Sequence, residues 1–237
     1  RMQGETLDRR LQCAARQVRM GSRLADIGTD HALLPVALVR SGVCPYAVAS
    51  DIRTDPAERA RRAVEEAQLA DRIEVRLGPG LSVLQPEEAD DLVIAGMGGE
   101  TIVSILGEAP WIRSSHFRLI LQPMSRPEVL RRWLHRAGFL LEAEPAVEDG
   151  GHLYSILRAH YEPEAVPAAE EGPLTPEGFS VMDFRGAIQG DTPEGRAYLR
   201  HQQDRLLRRA QGLREARDSR KVLEARQLEA VACALFR

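Results

Sequence analysis

The sequence predicts an α/β fold: a doubly wound sheet of seven strands with an antiparallel edge strand, followed by a C-terminal helical hairpin of coiled-coil character. Three observations carry this. From residue 23 to 161, short apolar runs alternate five times with helix-like segments, the pattern of β/α units feeding a parallel sheet. The alternation closes with two extended runs around Asp149-Gly150-Gly151, a hairpin turn that reverses a strand. Beyond Pro193 the chain becomes arginine-rich, with Leu199, Leu206 and Leu213 seven apart.

Taken in order, an amphipathic helix is expected over 6–18, a strand over 23–27 and a helix opening near Asp30. A second strand over 46–50 ends at Asp51. Asp55-Pro56 reads as an N-cap followed by proline at the first helical position, where the missing N–H costs nothing. That helix should run to about residue 69, with a third strand over 72–77. The fourth strand, 91–95, holds Leu92, Val93 and Ile94 in a row, as a strand covered on both faces should. A helix over 101–106, a fifth strand over 117–121 and a helix over 127–137 follow, and the hairpin arms are 139–147 and 152–159. In the tail, Val222, Ala225, Leu228, Val231, Ala232 and Leu235 share one helical face. Gly212 and Asp218-Ser219 mark the break between its two helices.

At ~150 residues per domain, 237 residues allow one domain and an appendage. The expected division is a sheet domain with its N-terminal helix over 1–161, a Glu-, Pro- and Ala-rich linker over 162–192, and the helical hairpin over 193–237. No apolar run approaches the ~18 residues of a membrane span, and residues 1–5 lack the apolar stretch of a signal peptide. Three scattered cysteines (Cys13, Cys44, Cys233) exclude a disulfide framework and a paired-cysteine zinc site. The histidines lack metal-binding spacing. A cytoplasmic monomer with neither metal nor membrane partner is therefore expected.

The net charge of −3 argues against a polyanionic partner, but its distribution argues for one. Residues 1–25 hold six arginines against two acids, 112–136 six against one, and 196–221 eight plus Lys221 against three. Residues 141–171 show eight acids against Arg158. Such asymmetry puts basic faces on a globally acidic protein.

In doubly wound sheets ligands bind beyond the carboxyl ends of the strands. The first such loop is Asp26-Ile27-Gly28-Thr29-Asp30-His31. Gly28 permits a tight turn and close approach of a ligand, but the three glycines of a dinucleotide fingerprint are missing. Asp26 and Asp30 would repel a pyrophosphate and suit a cation bearing an amino group and a sulfonium, which favours S-adenosylmethionine over NAD. Asp51, at the second strand end, has the placement of a carboxylate that accepts ribose hydroxyls. Gly78-Pro79-Gly80-Leu81 forms a turn where an adenine ring would lie. Ala95-Gly96-Met97-Gly98-Gly99 exposes backbone groups at a buried strand end, and Gln122-Pro123-Met124 offers an amide beside the same cleft. Asp26, Gly28, Asp30, His31, Asp51, Gly78, Pro79, Gly80, Leu81, Gly96, Met97 and Gly98 are the expected cofactor contacts. Gly96, Met97 and Gln122 are expected where the reacting atoms meet.

These motifs, with RRLQ at 9–12, SD at 50–51, LILQPM at 119–124 and the EDGGHLY turn at 148–154, resemble the bacterial tRNA adenine-N1 methyltransferases that modify the D-loop adenine at tRNA position 22. The resemblance covers essentially the whole chain; in the tail it is one of character only. It implies a Rossmann-like, S-adenosylmethionine-dependent enzyme of tRNA modification, with the hairpin as a tRNA-binding element. The family usually carries an acid where this chain has Pro79, and an acid there accepts the amino proton of the cofactor's adenine. Proline supplies neither that acceptor nor a backbone N–H.

The implied chemistry is undemanding in acid–base terms. Adenine N1 carries an in-plane lone pair, so alignment matters more than a general base, consistent with the absence of an obvious His–Asp or Cys–His pair. Carbonyls of Ala95 or Gly96 and the Gln122 amide are candidate acceptors for the base's N6–H, and the base must leave its stack. Arg196 to Lys221, with Arg9, Arg10 and Arg16, are expected to hold the RNA. Two alternatives stay open: a methyltransferase of another nucleic acid or a small molecule, and a non-catalytic RNA-binding relative.

Overall fold

Four parallel strands, β1 (Leu24–Ile27), β2 (Ala47–Asp51), β4 (Asp91–Met97) and β5 (Arg118–Pro123), form the middle of the sheet. β1 and β2 are buried along their whole length, as are the first four residues of β4 and all of β5 after Arg118. Helices cover both faces, which explains the unbroken apolar runs. The computed structural model describes residues 6–169, 171–216 and 218–236. The segment 1–5, read above for a leader, lies outside them.

With β3 (Ile73–Leu77), β6 (Phe139–Ala143) and β9 (Leu157–Tyr161), the seven strands run in the order β3-β2-β1-β4-β5-β9-β6. β9 runs against both β5 and β6, so the sheet ends in an antiparallel edge. The order reverses between β1 and β4, which opens a crevice at their carboxyl ends. Alternate side chains feed two cores. Ala25, Ile27, Leu92, Ile94, Leu119 and Leu121 meet Ile102 and Leu106 of α4 (Gly99–Gly107) and Leu130 and Leu134 of α5 (Pro127–Arg136). Leu24, Ala47, Ala49, Val93 and Ile120 meet α1 (Arg9–Ala15), α2 (Leu33–Arg40) and α3 (Thr54–Glu66).

Several boundaries differ from expectation. α2 opens at Leu33, because Asp30 and Ala32 take left-handed conformations (φ 51° and 53°) that a helix cannot include. α3 is capped at Arg53, two residues before the expected Asp55. Pro56 still lies in the first turn, where no N–H has an intrahelical partner, and Asp55 stays near the positive helix end. α4 begins at Gly99, whose N–H donates to the Ser125 carbonyl at 2.7 Å; a Cβ there would overlap the Arg126 carbonyl.

The expected hairpin divides. β7 (Ala146–Asp149) and β8 (His152–Ser155) leave the main sheet as a separate two-stranded ribbon. Pro145 has no N–H for the ladder, and Glu144 beside it turns inward to Arg131 of α5. Residues 162–192, read as a linker, contain a 3-10 turn at Pro163–Ala165 and α6 (Val181–Arg185). Phe179 and Phe184 join the core between α7 (Pro193–Glu215) and α8 (Ser219–Ala234). Those two helices form the hairpin, capped by Thr192 and Asp218. Leu206 and Leu213 face α8, whereas Leu199 packs with Ile188 and Tyr198 against the ribbon. Gly212 lies inside α7, so the break falls beyond it.

The arginines expected to form a basic face over 112–136 are largely tied to the fold. Arg118 faces Glu142, Arg126 pairs with Glu128 and Glu100, and buried Arg131 pairs with Glu144. Arg132 stacks on Phe179. In the first cluster, Arg19 and Arg23 bind Asp91 and Asp90, while Arg9 and Arg16 are exposed.

Candidate active site

The turn after β1 is strapped to β2: the N–H groups of Gly28 and Thr29 both donate to the Ser50 carbonyl at 2.8 Å. Gly28 has φ 75°, and a Cβ there would fill the space held by the Met97 methyl. The positive φ is what demands glycine here, since the Met97 methyl is the end of a flexible side chain that could move aside. Asp26 is 6% exposed and accepts the Thr29 hydroxyl at 2.6 Å. Burial pushes its carboxyl up to about 6; the Thr29 hydrogen bond and the Arg10 charge oppose this, and Asp51 adds to it. The pairing of Ile27 with Ser50 brings Asp26 and Asp51 to neighbouring strand ends.

Asp51 is 5% exposed and ends β2. Its Oδ1 accepts the Arg53 N–H at 2.9 Å, and the Arg53 guanidinium stands 3.5 Å away. Among the described residues Oδ2 has no hydrogen-bond partner, leaving an acceptor for a ligand. The Asp51 carbonyl takes the Gly78 N–H at 3.0 Å, which draws the third loop alongside. There Gly80 (φ 51°) opens a 3-10 turn against Ile105, exposed Pro79 caps it, and Leu81 points into the core.

β4 carries an irregularity between Ala95 and Met97, with Gly96 at φ 81°. The Gly96 N–H donates to Gln122 Oε1 at 3.0 Å, and Arg10 Nη1 donates to the same oxygen at 2.7 Å. Gln122 is fully buried, and its amide nitrogen donates to the Pro123 carbonyl. Both lone pairs of its oxygen are thus engaged, so the amide expected to accept a proton from a substrate base holds Gly96 and Arg10 instead. Gly98 is the N-cap of α4 and leads into the close contact of Gly99 with residues 125–126.

The structure therefore gathers Asp26, Gly28, Asp51, Gly96, Met97 and Gln122 around one crevice, with Gly78 and Gly80 on its flank. On the same turn as Gly28, Asp30 binds Arg59 of α3 at 2.8 Å and His31 lies 3.8 Å from Asp30; both are half-exposed. Arg10 is the residue sequence reasoning misplaced. Expected on an RNA surface, it reaches into the crevice, and its only local signal was the RRLQ motif. A separate cavity of about 400 Å3 opens between α5, β6 and residues 166–187 and shares no residue with this site.

A cleft of this kind, two acids and a left-handed glycine turn at the switch point of a mixed seven-stranded sheet, is the ligand site of a Rossmann-like enzyme. The chain belongs to the methyltransferase-domain family, whose model matches residues 7–157. It is 39% identical over 153 residues to the tRNA (adenine(22)-N(1))-methyltransferase of Bacillus subtilis (strain 168), an alignment covering 65% of this chain and 64% of that protein. That is slightly under two thirds of the curated relative's length. The crystal structure of the B. subtilis M1A22 tRNA methyltransferase superposes with a TM-score of 0.83 at 27% identity, over 98% of this chain and 99% of the other. A Streptococcus pneumoniae protein in complex with S-adenosyl-L-methionine superposes at 0.79 with 29% identity, over 97% and 100%.

Proposed function

We propose that this chain transfers a methyl group from S-adenosylmethionine to N1 of the adenine at position 22 of tRNA, in the cytoplasm. The observation that supports this most is the placement of buried Asp26 and Asp51 beside the Gly28 and Gly96 turns, in a chain that superposes on the B. subtilis enzyme over 98% of its length. Residues 1–161 would carry the chemistry and 193–237 the RNA contacts.

The residues fit the cofactor. Gly28 and Gly96 hold the left-handed turns that end β1 and β4 at the crevice, and the free oxygen of Asp51 suits ribose hydroxyls. Asp26 offers a carboxylate to a cation. When bound, S-adenosylmethionine supplies a methyl group on a positively charged sulfur. The protein's task is then to orient the base and exclude water. Asp26 and Asp51 hold the cofactor, Gln122 fixes the Gly96 turn, and the carbonyls of Ala95 and Gly96 remain as acceptors for the base's amino group. No group of the chain has to abstract a proton from N1, because its lone pair is already available.

The deciding experiment is methyl transfer to an unmodified tRNA transcript, with a transcript carrying guanine at position 22 as control. Methylation confined to the adenine-22 transcript is expected; equal labelling of both, or of neither, would defeat the reading. Asp51→Ala should weaken cofactor binding by roughly 1–3 kcal/mol through loss of a charge-assisted hydrogen bond. Unchanged calorimetric affinity would remove Asp51 from the site.

Cofactor affinity should also depend on pH. A cationic ligand prefers ionised Asp26, and the free carboxyl titrates at about 6. Binding therefore strengthens as pH rises through that value. At pH 5 only roughly one tenth of the free sites are ionised, so the dissociation constant should be about tenfold higher than at pH 7.5. Asp26→Asn should flatten this dependence, and a mutant that keeps it would show that another group is titrating.

A further inference from the structure

We propose that Arg10 is a positioning residue for methyl transfer, acting through Gln122 on the Gly96 turn; this rests on the methyltransferase reading above. Arg10 belongs to an arginine-rich N-terminal segment, where phosphate binding is the obvious role. Its geometry favours another. The side chain is only 17% exposed, and both terminal nitrogens donate within the fold: Nη1 to Gln122 Oε1 at 2.7 Å and Nη2 to Asp8 at 3.3 Å. Asp8 is itself the N-cap of α1, accepting the Leu11 N–H at 2.7 Å, so the guanidinium is anchored at the helix it comes from.

The other end of the brace is the turn that faces the crevice. Gly96 needs a left-handed backbone, which alone would leave its N–H without a partner at a strand irregularity. Gln122 Oε1 supplies that partner at 3.0 Å. A carboxamide can rotate, and Arg10 prevents it by saturating the oxygen while Pro123 holds the nitrogen at 3.0 Å. The guanidinium also walls the turn: a Cβ on Gly96 would lie 3.6 Å from Nη1. Three segments 26 and 112 residues apart in sequence thus converge on one oxygen. Residues 95–98, which line the crevice from β4, take their position from it.

Arg10 also acts on Asp26 through its charge, and the groups facing that carboxyl are Thr29 on its own turn, Arg10 from α1 and Asp51 from β2. Removing the arginine should therefore move the pH dependence of cofactor binding upward, an effect that removal of neutral Gln122 lacks.

The test uses the full chain, the adenine-22 transcript and S-adenosylmethionine. Arg10→Ala and Gln122→Ala should each lower kcat by about 100-fold, the order expected for a misplacement near 1 Å. Cofactor affinity at pH 8 and the salt dependence of tRNA binding should stay within twofold of wild type. The double variant should be no slower than the slower single, as members of one unit behave. Arg10→Lys should restore the pH midpoint but only part of kcat. Gln122→Glu, which keeps the acceptor oxygen, should turn over faster than Gln122→Ala, and thermal melts establish that each variant is folded. Additive losses, equal losses in the two Gln122 variants, or an Arg10→Ala variant with normal kcat and a salt slope lower by about 0.9 would overturn the proposal, the last by making Arg10 a phosphate contact. A wild-type chain that fails to methylate the transcript would count against the reading of function, not against the brace.

Discussion

Arg131→Ala should destabilise the protein by about 3–5 kcal/mol, the cost of leaving a buried charge without its partner. Arg131 and Glu144 are both almost wholly buried. Arg131 donates to Glu144 Oε1 through Nε (2.9 Å) and Nη2 (2.6 Å), to the carbonyls of Asp183 and Phe184 through Nη1 (3.0 and 2.9 Å), and to the Tyr198 hydroxyl at 2.7 Å. Glu144 also accepts the Ser155 hydroxyl and the Ala187 N–H. One side chain of α5 thereby ties the segment after β6, α6 and α7 together, with β8 joined through Glu144. Alanine would strand a carboxylate and two carbonyls. Chemical denaturation measures the loss; a change under about 1 kcal/mol would mean that water replaces the guanidinium at no net cost. Arg131→Met combined with Glu144→Leu should recover much of the stability, since an apolar pair of similar volume leaves no buried charge. Deleting residues 178–237 would remove Tyr198 and both carbonyls from Arg131, so truncation would disturb the sheet domain as well as the tail.

Point substitutions isolate the tail better. Replacing Arg196, Arg200, Arg205 and Arg208 together by glutamine should lower tRNA affinity by on the order of 100-fold or more and reduce the slope of log affinity against log salt by about 3.6, if each reaches a phosphate. All four are exposed on α7, and among the described residues none pairs with a carboxylate. Arg209 and Arg214, by contrast, are held by Glu177 and Glu229. Cofactor affinity should not change, because α7 reaches the sheet domain through the β7–β8 ribbon and α6 rather than through the cleft. Filter binding across a salt series gives the slope. An unaltered slope would show that these charges serve helix solubility or self-association instead.

Much of the cleft was legible from the chain alone, for reasons that are local. Leu92-Val93-Ile94 and Leu119-Ile120-Leu121 are unbroken apolar runs because parallel strands covered on both faces have no polar side to present. Asp26 and Asp51 were identifiable because one lies next to the last residue of β1 and the other ends β2, and topology sends those ends to one crevice. Gly28 and Gly96 announced themselves as glycines at strand ends, and the structure gives them the positive φ that only glycine adopts cheaply. Pro127 marked the start of α5 because its ring suits the first helical position.

Other features depend on partners far away in sequence, and no local pattern encodes them. The expected hairpin divides at Pro145 while Glu144 turns inward to meet Arg131, a residue on another element. Leu199, in register with Leu206 and Leu213, faces the ribbon because α7 touches different neighbours along its length. Asp30 pairs with Arg59 of α3, 29 residues away, a partner that no local pattern names. Charge counts are equally blind to pairing: 112–136 is basic in composition, yet Arg118, Arg126 and Arg131 face carboxylates within the fold. Arg10 is the extreme case, since its partner Gln122 lies 112 residues away. Periodicity and spacing determine which residues are buried and which strand ends carry acids and glycines, because those depend on backbone geometry that repeats every two or 3.6 residues. Which buried or charged group meets which is decided only when distant segments pack, because a side chain's direction is then set by the nearest unsatisfied donor or acceptor.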